Sequence, residues 1–242
     1  MSEARPAFYA LAPGSWRDYV TLLHPPYTLW HLSYVVIGAA LAPRFDAAIL
    51  GLTLAAFFLA LGIGAHALDE LRGRPLRTRI PQATLIGLAA ATIGAAAAIG
   101  VAVAADRDLW LLAFVAGGCL LVVAYNLELF DGVLHGDLWF AVGWGAFPVL
   151  TAYFAEAHVV RWPALLAAAF AALLSHTQRI LSTPVRELRR RTRSVSGQLE
   201  RTDGEVVPID AATLAAAPER ALQTLTVATI LLAVALVVLR VG

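Results

Sequence analysis

Residues 47–74 read AAILGLTLAAFFLALGIGAHALDELRGR. The stretch from Ala47 to Leu68 carries no charge, and it ends abruptly in Asp69, Glu70, Arg72 and Arg74. A hydrocarbon layer about 30 Å thick needs roughly 20 apolar residues of helix. A run of this length followed by a charged end reads as a helix that crosses a membrane and meets water at Asp69. Six more apolar runs follow the same logic: Tyr27 to Leu41, which is short, Ala83 to Ala105, Leu109 to Tyr125, Leu138 to Phe154, Pro163 to Leu181 and Ala221 to Leu239.

The composition agrees with this reading. Hydrophobic residues make up 60% of the chain and charged residues 14%, which is more apolar surface than a soluble core requires. Backbone amides in lipid must be satisfied within the segment, and no run alternates apolar with polar residues as a lipid-facing barrel strand does. The expected fold class is therefore all-α, a polytopic transmembrane bundle of about seven spanning helices.

All 18 basic positions are Arg. With the N-terminus in the cytoplasm, Arg5, Arg17, Arg72, Arg74, Arg77, Arg79 and the group Arg179 to Arg220 fall on the inner side. Arg44, Arg107, Arg161 and Arg240 remain outside. This asymmetry obeys the positive-inside rule and predicts an integral protein of a bacterial or archaeal plasma membrane. The net charge of +1 gives no case for nucleic acid, whereas a basic inner face suits anionic membrane lipids. Cys119 lies alone in an apolar run, so no disulfide is expected. The N-terminus has no apolar core followed by a cleavage site, so no signal peptide is expected.

Residues 1–26 read as an interfacial segment, with a short amphipathic helix from Trp16 to Leu23 before a break at Pro25-Pro26. Residues 27–183 form a six-helix core. Residues 184–220 form an Arg-rich cytoplasmic loop, and residues 221–242 a last spanning helix. Within the loop, Asp203-Gly204 between short mixed segments fits a small β-hairpin, with a solvated linker as the alternative.

Polar groups gather at the inner helix ends. His66, Asp69, Glu70 and Gly73 share roughly one face, since residues three and four apart are neighbours. Ionisable groups at membrane depth are costly unless they face a cavity or a partner. For Asp69, Glu70, Arg72 and Arg74 a wetted helix end with local ion pairs is the alternative. His176 sits one turn inside the boundary of the sixth run with Arg179 on its face, so the two His could share a pocket. Between these runs, Glu128, Asp131, His135 and Asp137 read either as metal ligands or as an ordinary solvated loop.

The order of these features resembles the UbiA superfamily of intramembrane prenyltransferases over residues 20–195. Leu22-Leu23-His24-Pro25-Pro26-Tyr27 resembles the family's opening segment, and His66 to Arg74 stands at the place of its first acidic motif. Tyr125-Asn126, Gly136-Asp137, Phe147-Pro148 and Tyr153 resemble its tyrosine-led loop and fifth helix, and His176 to Arg179 stands at its second acidic motif. The resemblance implies transfer of an isoprenyl group from its diphosphate to an aromatic or lipid acceptor, or terpenoid processing. It also implies Mg²⁺ held by carboxylates, with Arg sharing the diphosphate charge and aromatic walls shielding a carbocation. On this chain it assigns catalytic roles to Glu70, Asp69, His66 and His176. Arg72, Arg74, Arg179, Tyr125, Asn126 and Tyr153 become substrate contacts, and Asp69 and Glu70 metal ligands. Trp30, Tyr34, Trp139, Trp144 and Phe147 are candidates for the cavity wall.

The chain departs from the family pattern at defined places. The motif Asn-Asp-x-x-Asp-x-x-x-Asp falls on His66, Ala67, Glu70 and Arg74, so only Glu70 keeps a carboxylate. The second motif puts Ile180 and Pro184 where two Asp belong. One helix follows the sixth where the family usually has three, so the wall made by the last helices is either missing or supplied by another subunit of a homo-oligomer. Imidazole suits Zn or Fe better than Mg²⁺. A transition-metal site at His66, Glu70 and His176 acting on a lipid or quinone is thus a second reading, and a non-catalytic isoprenoid-binding scaffold a third.

Overall fold

A computed structural model describes residues 5–242. Apart from one hairpin, its regular elements are helical. Helix α1 (Trp16–Leu22) lies before α2 (Pro25–Leu41). They are followed by α3 (Ala47–Leu71), α4 (Gln82–Asp106), α5 (Leu111–Asn126), α6 (Asp137–Ala157), α7 (Trp162–Arg191), strands β1 (Gly197–Glu200) and β2 (Val206–Ile209), and α8 (Ala211–Val241). Five helices, α3, α4, α6, α7 and α8, are long and apolar enough to cross a membrane. The other two expected spans are shorter helices, α2 with 17 residues and α5 with 16.

The lower apolarity of α2 has a packing reason. It sits between α6, α8 and α7, and its polar side chains are spent on internal bonds rather than presented to lipid. Trp30 and Tyr34 are fully buried, with the indole N–H donating to the Tyr34 hydroxyl at 2.5 Å and Ser175 of α7 donating to the same oxygen at 3.4 Å. Glycine lets the backbones close up. A Cβ on Gly145 would lie 2.5 Å from the Ala171 carbonyl oxygen, and one on Gly38 would meet the Val149 backbone. At the end away from the Arg-rich loops, Arg240 donates to the carbonyls of Ala40 and Ala42, which anchors the end of α8 to the end of α2.

The short helix before Pro25-Pro26 forms as expected: α1 ends at Leu22, His24 takes the left-handed conformation (φ 45°), and the two prolines occupy the first helical positions of α2, where a missing N–H is no loss. Two boundaries differ from the sequence reading. Helix α7 continues through Pro184 to Arg191, the proline depriving only the Ile180 carbonyl of its helical partner. Helix α8 begins at Ala211, ten residues before the expected Ala221, with the Asp210 side chain accepting from the Thr213 N–H as its cap. The Arg-rich loop therefore shrinks to residues 192–210. Inside it the expected hairpin forms, pairing Gly197 with Ile209 and Glu200 with Val206. Gly204 takes the left-handed conformation (φ 86°) that the turn demands.

Three helices widen into π-helical stretches, Phe58–Ala65 in α3, Ala141–Ala146 in α6 and Glu187–Arg191 at the end of α7. The first two are rich in Gly and Ala and are followed by ordinary helix, and all three contribute residues to the cavity described next. Widened turns of this kind recur at functional sites.

Candidate functional site

At the Arg-rich end of the bundle a cavity is lined by α2, α3, α5, α6, α7 and the segment around Pro6–Tyr9. Each wall has a distinct chemistry.

Helix α7 supplies Gln178, Arg179, Ser182, Arg186 and Arg190. Arg186, seven residues after Arg179, returns to the same face of a 3.6-residue helix, and Arg190 reaches the cavity from the π-helical stretch Glu187–Arg191 that ends α7. Arg179 is already engaged. Its Nε donates to Asp137 at 2.9 Å, its other nitrogens reach Asp137 at 2.7 Å and the Tyr125 hydroxyl at 3.1 Å, and its guanidinium lies over the Phe140 ring. Arg186 and Arg190 differ. Among the described residues each is half-buried and neither makes an ion pair. Arg186 donates to the Thr183 hydroxyl at 3.0 Å and Arg190 to the Pro6 carbonyl at 3.2 Å.

The opposite wall is made of imidazoles. His31, His66 and His135 bond through Nδ1 to the carbonyls of Trp144 at 2.8 Å, Gly62 at 3.0 Å and Tyr125 at 2.9 Å. A carbonyl only accepts, so Nδ1 is the donor in each ring, and a neutral ring then keeps its lone pair on Nε2. The fourth imidazole, His24, stacks on His66 with centroids 4.0 Å apart, and its buried Nε2 has no partner among the described residues. Burial, then the neighbouring His66, Arg190 and Arg186, hold the His24 pKa well below its ordinary value. Burial, followed by Tyr27, likewise raises the pKa of the Tyr9 phenol. The buried Gln178 Oε1 is also without a partner among the described residues.

The floor is aromatic. Tyr125 and Trp144 lie 4.4 Å apart between centroids, and Phe140 stacks on Trp144 at 5.5 Å. Trp144 also borders a second, apolar cleft lined by residues such as Ala60, Gly100, Phe114, Gly118 and Phe147. The polar and the apolar chamber thus share this indole in their linings.

No family model, curated protein or solved structure matches the chain. Its site is therefore read from its own geometry.

Of the residues expected to act, His66, Asp69, Tyr125, Asn126 and Arg179 meet on the cavity wall. The others stand elsewhere. Glu70 is completely buried and accepts from the Leu76 N–H at 3.0 Å, the Thr78 N–H at 2.8 Å and the Thr78 hydroxyl at 2.8 Å, so it fastens the α3–α4 loop. Arg74 donates to the Thr78 and Ile80 carbonyls of that loop. Arg72 pairs with Glu128 at 2.5 Å on the exposed rim. His176 lies on the exposed face of α7, away from Gln178. Tyr153 is buried beside Ala42 and Ala164 near the other end of the bundle. Of the candidate wall aromatics, Trp144 lines both chambers and Phe147 the cleft.

These positions bear on the metal. Among the described residues the only carboxylate on the cavity wall is Asp69, and Glu70, its intended partner, has both oxygens occupied by the loop. Among the same residues no three His, Cys, Asp or Glu side chains are grouped to hold an ion. The donor set does not fit a carboxylate-bound Mg²⁺ pair. Nor do His66, Glu70 and His176 converge as a Zn or Fe site.

His24, His31, Gln178, Arg186 and Arg190 carry no role in the sequence reading. The signal for Arg186 is its helical spacing from Arg179, but ending the helix before Pro184 places both Arg in a loop and hides it.

Proposed function

We propose that the chain is a divergent UbiA-like membrane protein with seven crossings and its Arg-rich end in the cytoplasm. In this reading it receives an isoprenyl diphosphate in the inner cavity and transfers the isoprenyl group to a second substrate. One observation carries the reading: Arg186 and Arg190 stand without carboxylate partners among the described residues, in a chamber that adjoins an apolar cleft through Trp144. An anionic head and a long apolar tail are the two parts of such a ligand.

The chemistry asks little beyond these walls. The C–O bond to the diphosphate breaks, and its electron pair leaves with the oxygen, where guanidinium groups offset the growing charge. The allylic carbon left behind is positive, and the faces of Tyr125, Phe140 and Trp144 can shield it from water. A proton released by the acceptor has Nε2 acceptors within the same chamber. Binding of the head group would also relieve two half-buried cations that pair with no carboxylate among the described residues.

The test uses the full chain in nanodiscs with radiolabelled geranylgeranyl diphosphate and a total membrane-lipid extract as the source of acceptors. Release of labelled lipid product with free diphosphate is expected. Retention of the intact diphosphate without release would mark a binding protein instead, and neither retention nor release would refute the proposal.

A further inference from the structure

The arrangement of charge in the cavity goes one step beyond that reading, on which it rests for the identity of the tail. We infer that Arg186 and Arg190 form a diphosphate site that works without a divalent cation.

Three observations converge. The first is the donor set: among the described residues Asp69 is the sole carboxylate on the wall, and Glu70 is turned into the α3–α4 loop by three hydrogen bonds. A hard cation that prefers several oxygens finds one side-chain anion there. The second is cationic charge with no carboxylate in contact: Asp69, on the same wall, lies within electrostatic reach of Arg190 and Arg186 but pairs with neither among the described residues. Arg186 and Arg190 are four residues apart on α7, about one turn, where the helix widens into the π-helical stretch Glu187–Arg191, and each is half-buried and without an ion pair among the described residues. Each guanidinium has five N–H donors in a planar fork that matches phosphoryl oxygens, and each spends few of them on the protein. Two forks one turn apart correspond to two linked phosphoryl groups.

The third observation is the contrast with neighbouring arginines. Arg189 donates to both carboxylate oxygens of Glu219 at 2.5 and 2.8 Å, and Arg191 pairs with Glu187 at 3.2 Å. Acids are thus available on this stretch, and they are spent on the arginines that face away from the cavity. The two facing into it are left for an anion from outside the chain. The segment at Pro6–Tyr9 lines the same cavity, and Arg190 donates to the Pro6 carbonyl.

The test titrates geranylgeranyl diphosphate and, separately, inorganic pyrophosphate into the full chain in phosphatidylcholine nanodiscs, once in EDTA and once in Mg²⁺. Binding of both in EDTA is expected. Arg186→Ala or Arg190→Ala should each weaken it about 10- to 100-fold, the range for a hydrogen bond to a charged group. Arg191→Ala, which removes the same charge outside the cavity, should change it little. Arg186→Lys keeps the charge without the fork and should fall between. Should the alanine variants fail to fold, displacement of the lipid by pyrophosphate from the unaltered protein in EDTA would still support the site, and no displacement would overturn it. Binding that appears only with Mg²⁺ would overturn the inference and leave the isoprenoid reading standing. Pyrophosphate binding in EDTA without binding of the lipid would uphold the anion site and remove the isoprenoid. Binding of neither probe under either condition would overturn both.

Discussion

Glu70 separates two accounts of this protein, because the family pattern makes it a metal ligand and the structure makes it a fastener. Its carboxylate is completely buried and receives three hydrogen bonds, from the Leu76 N–H, the Thr78 N–H and the Thr78 hydroxyl. Replacing Glu70 by Ala leaves two backbone donors and a hydroxyl without partners inside the loop. Hydrogen bonds to charged groups contribute about 1.5–3 kcal/mol each, and they are not additive where one loop carries all three. Partial hydration of the relaxed loop reduces the sum, which puts the loss at about 3–5 kcal/mol, at the upper end for single substitutions. For a chain of this size that corresponds to a drop in Tm on the order of 10 °C. Glu70→Gln keeps an oxygen for Thr78 but turns an amide N–H₂ toward the Leu76 N–H, so about a third to a half of the loss is expected.

The assay is thermal unfolding of detergent-solubilised protein followed by size-exclusion fluorescence, beside ligand binding at a temperature where all variants are folded. The expected result is Ala below Gln below the unaltered protein in Tm, with binding by the folded fraction retained. An Ala variant with unchanged Tm that has lost Mg²⁺-dependent binding would refute the fastener role, because the carboxylate would then be serving the cavity.

Other expectations follow from single contacts. Gly145→Ala places a methyl 2.5 Å from the Ala171 carbonyl oxygen, a backbone atom that cannot turn away, and should cost about 1–3 kcal/mol. Gly87→Ala meets nothing within 4 Å in α4 and should be neutral or stabilising by up to about 1 kcal/mol; thermal unfolding of the pair checks both. His24 has a pKa well below its ordinary 6.5, so the folded state resists its protonation. Its stabilising contribution is present above pH 6.5 and is lost as the pH falls towards the folded pKa. His24→Asn tolerates the left-handed backbone at φ 45° and should flatten the decline of Tm below pH 6.5. At the other end, Arg107 holds the Asp46 carboxyl below its ordinary 3.8. That contribution is present above pH 3.8 and disappears as the pH falls through the folded pKa. Asp46→Asn should therefore remove the part of the acid-induced loss of Tm that falls below pH 3.8.

The apolar runs are legible because lipid leaves helix almost no alternative, and every expected span lies largely within a helix of the structure. The hairpin is legible from Asp203-Gly204, since glycine relieves the turn at its one left-handed position. The helix ends are harder. Pro184 looks like a break, yet it is accommodated within a helix. Direction within a helix is harder still. Asp69 and Glu70 are adjacent, and a wheel drawn at about 100° per residue cannot choose between them after the widened stretch Phe58–Ala65, where the rotation per residue is smaller. The structure turns Asp69 to the cavity and Glu70 to the loop. On α7, three-residue spacing groups His176 with Arg179, but the wall follows Gln178, Ser182 and Arg186, which puts His176 on the far side.

The arginine excess at one end of the bundle is a topological signal, and that is why it conceals chemistry. Arginines that set orientation need only lie near water, so composition cannot distinguish one from another. Geometry distinguishes them by what each has for a partner. Arg72 has Glu128, Arg74 has the carbonyls of its own loop, Arg179 has Asp137, and Arg189 has Glu219. Removing any of these strands a partner and should register as lost stability. Arg186 and Arg190 have a hydroxyl and a carbonyl, neither of them charged, and both occupy a chamber whose other wall offers imidazole lone pairs. Their charge is a cost to the empty fold. Neutralising them should leave Tm unchanged or raise it while abolishing anion binding, the pattern of a site held at the expense of stability.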